Sequence, residues 1–199
     1  MTWLHLLLVF LWALYGFTHS WLATDRVKLQ AQKLLKSGYK YYRLVYNMVS
    51  TLGLAGLLFW GAWISDTRLW PQSTWLTFLS LVLATYGVIV IRLSFKQYSI
   101  REFLGVYSAQ KIPGQASLKT QGLLRFVRHP IYSGTLLITA GFAIFAPSLT
   151  NFIHALCITI YILIGLKFEE NKLIREFGNS YLDYQKKVPM LIPKFPLKR

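Results

Sequence analysis

Residues 125–134 read RFVRHPIYSG, so Arg125, Arg128 and His129 stand on the lip of an apolar run that begins at Ile131. Positive charge beside hydrocarbon is costly unless a negative partner accompanies it. Pro130 fits the first turn of a helix, where its missing N–H would have been unpaired anyway. The helix therefore starts here, with its free N–H groups and positive dipole end turned to the aqueous side. Together with the Arg and His donors, this end is suited to a carboxylate or a phosphate. Tyr132, three residues beyond His129, shares that helix face. The plainer reading is a basic anchor snorkelling to lipid phosphates.

A second segment supplies the opposite charge. It reads LKFEENKLIREFGNSYLDYQKKVPMLIP and places Glu169 and Glu170 at the end of the last long apolar run. The helix is expected to continue past them, with Leu166, Leu173, Ile174 and Phe177 as an apolar stripe and Gly178 as its stop. NSYLDYQKK predicts a second short helix before Pro189. Only APSLT separates this apolar run from the one starting at Ile131. The two form a helical hairpin, and the glutamate pair faces the basic cluster. For Glu170 that arrangement can be a plain salt bridge. A ligand carrying a carboxylate together with cationic or diol groups satisfies both walls at once.

The elements that position these residues are spans. The chain has 199 residues, 54% hydrophobic and 16% aromatic, with a formal net charge of +15. On a soluble protein that charge suggests nucleic acid; the apolar runs exclude it here. Five segments approach the roughly 20 residues needed to cross a bilayer: 3–22, 44–64, 74–93, 131–147 and 151–168. All of the 22 basic residues except Arg68 alternate onto one side of that arrangement. The positive-inside rule then places the N-terminus outside and the C-terminus in the cytosol. Most of the charge is thus a topology signal and an attraction to anionic headgroups. The expected fold is all-α, an integral membrane bundle of five transmembrane helices in a single domain over 1–199. Within it, 1–93 forms a three-helix part, 94–130 a cytosolic connection, and 131–199 the hairpin and tail. FKQYSIREFLGVY within the connection reads as an amphipathic interfacial helix. The first apolar run lacks a basic start and a small-residue cleavage site and reads as a retained helix. Cys157, the lone cysteine, is read as packing, with no disulfide and no metal site. No Ser-His-Asp set or P-loop is present, so no side chain is assigned a catalytic role.

From about Leu118 to Pro193 the chain resembles the membrane methyltransferases related to isoprenylcysteine carboxyl methyltransferase. The likeness rests on LKTQGLLRFVRHPIYSG and on EENKLIREFGNSYLDYQKKVPMLIP with the hairpin between them. It implies S-adenosylmethionine as cofactor, bound by Ser117, Leu118, Lys119, Leu124, His129, Pro130, Ile131, Tyr132 and Glu169. Two departures point away from a prenylcysteine carboxylate as acceptor. Gly165 stands where those enzymes have an arginine, and Met190 where many relatives have one after Val-Pro.

FTHSWLATDRVK followed by YYRLVYN resembles the bacterial branch that includes NnrU-like proteins and methanethiol S-methyltransferase, which implies a bacterial inner membrane. On the topology above, His19, Arg43 and Asn47 sit near cytosolic span ends, where polar groups usually face the bundle interior. They are expected to line the acceptor side of the pocket, or else to hydrogen-bond helices together. The reaction so implied is methyl transfer to a small or lipophilic nucleophile reached from the membrane, a thiol first. Such a displacement joins an anionic nucleophile to a cationic donor and gains from a water-excluding site that holds both in line. Alternatives are methylation of a prenylcysteine carboxylate or a lipid amine, a nicotinamide-dependent membrane reductase, and a non-enzymatic membrane module. The His129–Pro130 pair speaks against the reductase.

Overall fold

The computed structural model describes residues 2–96 and 118–194, whose regular structure is helical. In chain order these are α1 (Trp3–Leu22), α2 (Asp25–Leu35), α3 (Tyr42–Trp63), α4 (Thr74–Phe95), α5 (Pro130–Phe145), α6 (Leu149–Phe177) and α7 (Asn179–Lys187). Short 3-10 turns cover Lys36–Tyr41 and Gly122–Arg125. α1, the stretch containing α3, α4 and α6 are each long and apolar enough to cross a membrane. α5 is a predominantly apolar helix but has 16 residues, about 24 Å of rise against a hydrocarbon core of about 30 Å. The fold is the all-α membrane bundle expected, with the fourth of the five spans short. α6, at 29 residues, rises about 43 Å, so its last turns, from Glu169 onward, extend past a hydrocarbon layer entered at its start. Ser117 and the FKQYSIREFLGVY segment beyond Lys96 lie outside the described residues.

The chain divides into two compact units. The first contains α1, α2, α3, the residues to Trp70, and Pro147–Cys157 at the start of α6. Along α1, His5, Leu8, Trp12, Tyr15 and His19 recur at spacings of three and four, the seam of a helix packed on neighbours. Leu8 and Trp12 are buried with Leu57 of α3. The Trp12 indole N–H donates to His154 Nδ1 at 2.9 Å. Gly61 of α3 leaves the space that the His154 ring occupies, since a Cβ there would collide with the imidazole. His5 and His154 are thus buried packing residues with polar partners.

At one end of this unit, His5 Nδ1 accepts the Thr2 N–H at 3.1 Å, leaving Nε2 to face Asp66 Oδ2 at 3.4 Å. The Thr150 N–H donates to the same carboxylate oxygen at 2.7 Å. Leu69 N–H to the Pro147 carbonyl, 2.8 Å, and an antiparallel bridge between Arg68 and Ser148 complete this tie. Burial raises the Asp66 carboxyl, but the Thr150 and His5 hydrogen bonds outweigh it and hold it below the usual carboxylate range. A carboxyl lowered by folding stabilises above its unfolded value and loses that contribution as pH falls through its folded value. Asp66→Asn is therefore expected to cost about 1–3 kcal/mol at neutral pH. Melting curves of the two proteins should converge as pH is taken from 7 to 3, because only the wild type loses this contribution.

The second unit contains α4, α5, the rest of α6, and α7. α4 and α5 pack through small residues, the pattern used where lipid supplies no hydrophobic drive between helices. Ser80 and Ser94 are buried, their hydroxyls returned to Thr77 and Val90 carbonyls of the same helix. A Cβ on Gly87 would stand 2.6 Å from the Gly134 carbonyl oxygen, so the two backbones touch. Gly141 packs against the Ser80 and Ala84 backbone in the same way. α6 stops as the sequence predicts: Gly178 takes φ +55°, and its N–H donates to the Ile174 carbonyl at 2.8 Å. α7 then folds back so that Tyr181, Tyr184 and Val188 form a core against Leu118, Leu173, Ile174 and Phe177.

Candidate active site

The negative partner of the basic cluster is Glu170. Arg128 Nε and Nη2 each lie 2.6 Å from Glu170 Oε1, and His129 Nε2 lies 3.1 Å from the same oxygen. Tyr181 O–H donates to it at 3.3 Å, and Gln185 Nε2 donates to Oε2 at 3.0 Å. The Arg128 and Glu170 side chains are 8% and 10% exposed. Burial and the neighbouring Glu170 carboxylate push the Tyr181 hydroxyl up, so it stays a donor at physiological pH.

The residues after α7 close over the start of α5. Arg128 and His129 donate their backbone N–H groups to the Pro189 and Met190 carbonyls at 2.9 and 3.1 Å. Arg128 Nη1 donates to the Val188 carbonyl, and Ser133 Oγ to that of Leu191 at 2.7 Å. Pro189 has no N–H to lose in this pairing, which uses carbonyls alone. The Tyr184 hydroxyl donates to the Leu124 carbonyl, anchoring the turn before α5 to α7. Arg128 therefore spends its donors inside the protein. Arg125, which the sequence grouped with it, is exposed and lies 5.4 Å over the Phe126 ring instead.

Glu169 is different from its neighbour. Its side chain is 43% exposed. Among the described residues it accepts one hydrogen bond, from Tyr132 O–H at 3.0 Å, and its other oxygen stands 4.0 Å from His129 Nδ1. A carboxylate offers about four acceptor positions, so Glu169 keeps capacity for an ammonium or a hydroxyl that Glu170 has used. His129 is buried and links the two carboxylates, with its ring centroid 5.9 Å from that of Tyr132.

Of the residues expected to hold a cofactor, His129, Tyr132 and Glu169 meet directly. Pro130 is buried at the helix start and Ile131 half-buried beside it. Leu118 and Leu124 meet α7 through the tyrosine core and the Tyr184 hydroxyl. Lys119 is exposed. Tyr181 and Gln185 were missed as partners of Glu170; their signal was the i, i+4 spacing on one face of the short helix.

In the first unit, His19 Nδ1 lies 2.8 Å from Ser50 Oγ and its Nε2 lies 2.9 Å from the Tyr46 hydroxyl. The Tyr15 ring stacks on His19 at 5.6 Å between centroids, and its hydroxyl donates to the Ser50 carbonyl at 3.0 Å. Asn47 is half-buried and Arg43 exposed. His19 is thus gathered with Tyr15, Tyr46 and Ser50, residues the sequence reading passed over although Tyr46 and Ser50 lie one turn apart.

The family described as phospholipid methyltransferase matches residues 75–180. Methanethiol S-methyltransferase 2 of Bradyrhizobium diazoefficiens is 33% identical over 195 residues, covering 95% of this chain and 73% of that protein. The methanethiol S-methyltransferase of Pseudomonas deceptionensis is 32% identical over 194 residues, 93% of this chain and 71% of its own. The protein-S-isoprenylcysteine O-methyltransferase of Xenopus laevis is 29% identical over 150 residues, 70% of this chain and 49% of its own. No solved structure matches. The matched segment runs from the start of α4 into α7 and so contains His129, Tyr132, Glu169 and Glu170, while the bacterial relatives extend the likeness through α1 and α3. Built on helices long and apolar enough to cross a membrane, the chain belongs to the phospholipid methyltransferase family and is a membrane methyltransferase.

Proposed function

We propose that this protein moves the methyl group of S-adenosylmethionine to a small thiol, in a bacterial inner membrane, with its N-terminus outside and its C-terminus in the cytosol. The observation that carries the donor is the contrast between the two glutamates: Glu170 is saturated by Arg128, His129, Tyr181 and Gln185, while the Glu169 side chain is partly exposed and, among the described residues, holds one donor. The donor carries an ammonium and a ribose diol, both of which suit the open acceptor positions of Glu169. His129, Pro130, Ile131 and Tyr132 would flank it, with Leu118, Lys119 and Leu124 on the turn before α5; Ser117 is proposed with them from sequence likeness. When bound, S-adenosylmethionine supplies a methyl group on a positively charged sulfur. The chain's own work is positioning: Tyr132 orients Glu169, and Glu170 with Arg128 fixes His129 and the start of α5. A thiolate acceptor needs no nucleophilic side chain here, and apolar spans keep water from competing with it.

Support for a thiol comes from the methanethiol S-methyltransferases that align over nearly the whole chain. Gly165 and Met190 support it too, since neither offers the cation that a prenylcysteine carboxylate would meet. His19, Asn47 and Arg43 are assigned to the acceptor, with Tyr46 and Ser50 orienting the His19 ring. Membrane vesicles given methyl-deuterated S-adenosylmethionine and methanethiol should release labelled dimethyl sulfide. Vesicles that leave methanethiol unchanged but methylate a farnesylated cysteine analogue would overturn the thiol assignment and keep the donor.

A further inference from the structure

We propose that α2 and the turn after it form a docking surface for anionic phospholipid, lying in the headgroup layer beside the spans. α2 joins two membrane-length helices, α1 and α3, so it stands at a bilayer boundary whichever way the protein faces. It does not continue α1: Thr24 caps it as a new helix, accepting the Val27 N–H on its hydroxyl at 3.4 Å. Nor does it run into α3, because Lys36 breaks it with φ +45°.

Val27, Ala31, Leu34 and Leu35 follow the i, i+4, i+7, i+8 spacing that places them on one face of α2. Among the described residues the C-terminal half of that face is uncovered, with Leu34 82% and Leu35 49% exposed, while Val27 and Ala31 are half-buried. Leu29 is the one apolar residue on the opposite side. Arg26, Lys28, Lys33, Lys36 and Lys40 fall in the same stretch, and Asp25 is its one acid, paired with Lys28 at 3.7 Å. Tyr41 is 55% exposed at the start of α3 with Lys40 Nζ 5.0 Å over its ring, and Tyr39 stacks on Tyr42. An apolar face, flanking cations and tyrosines at a span end are what an interfacial helix needs. The charge selects anionic lipid: a basic residue near such a surface favours it by about 1 kcal/mol, about fivefold in affinity.

The test uses the full chain with Cys157→Ser, spin-labelled at Leu34→Cys or at Gln32→Cys, in nanodiscs with or without phosphatidylglycerol. The Leu34 label should be relaxed by oxygen, as in hydrocarbon, and the Gln32 label by a water-soluble nickel complex. Replacing Arg26, Lys33, Lys36 and Lys40 with glutamine should shift the Leu34 label toward the aqueous relaxant and remove its dependence on phosphatidylglycerol. A Leu34 label exposed to water in both discs would overturn the proposal. So would one shielded from both relaxants, which would mean a second copy covers the face. Equal insertion in neutral discs would overturn the anionic preference. None of these readouts depends on methyl transfer, so failure here leaves the proposed activity standing, and the reverse holds.

Discussion

Glu170→Ala should lower the melting temperature of the protein by about 10 °C or more, corresponding to about 3–5 kcal/mol lost when one member of a buried ion pair is removed. The reason lies in what stays behind. Arg128 is 8% exposed, and without its carboxylate partner its charge remains in a dry setting. His129, Tyr181 and Gln185 lose their acceptor in the same step. The damage spreads along the backbone, because Arg128 also holds the Val188 carbonyl and lies beside the Pro189 and Met190 contacts. Donor binding should fall as well, since these contacts hold the start of α5 in place. An Arg128→Met, Glu170→Leu double variant should recover part of the lost stability, as replacing both members of a buried pair often does. Thermal unfolding of the three variants in one detergent checks the whole set.

Glu169→Ala, one residue away, should do the opposite. Its side chain is 43% exposed and holds a single hydrogen bond among the described residues, so the melting temperature should move by no more than about 2 °C, as surface substitutions usually do. Donor affinity should fall by about 10- to 100-fold, the worth of a hydrogen bond to a charged group. Tyr132→Phe should give a smaller loss in the same direction, because it frees Glu169 to turn without removing the carboxylate. Adjacent glutamates with opposite phenotypes are hard to obtain from a plain salt-bridge network. They follow directly from one carboxylate being saturated and the other open.

How much of this was readable beforehand differs by element. The apolar runs predicted the spans because a bilayer imposes one length on every helix that crosses it. Gly178, Pro130 and the Leu173–Phe177 stripe predicted the end of α6, the start of α5 and the tail core, since each has a local physical cause. What composition could not divide was the charge cluster. Arg125, Arg128 and His129 look equivalent on the page, as do Glu169 and Glu170. Their roles separate only when α7 folds back and delivers Tyr181 and Gln185 to one carboxylate. α2 was hidden for a different reason: its cations read as a loop's topology signal, and its five apolar positions are too few to register as a span. Around His19, the predicted topology brought Arg43 and Asn47 to the same side of the membrane as acceptor-side residues. The fold adds Tyr15, Tyr46 and Ser50 against the His19 ring, which the sequence did not signal because hydroxyl partners leave no charge pattern to detect.

The most direct measurement is calorimetric titration of S-adenosylhomocysteine, the demethylated product of the proposed donor, into the wild type and Glu169→Ala in lipid nanodiscs, with melting curves alongside. The account predicts binding by the wild type, binding weakened by about 10- to 100-fold in Glu169→Ala, and the same melting temperature for both. Equal affinities, or no binding by a folded wild type, would contradict it.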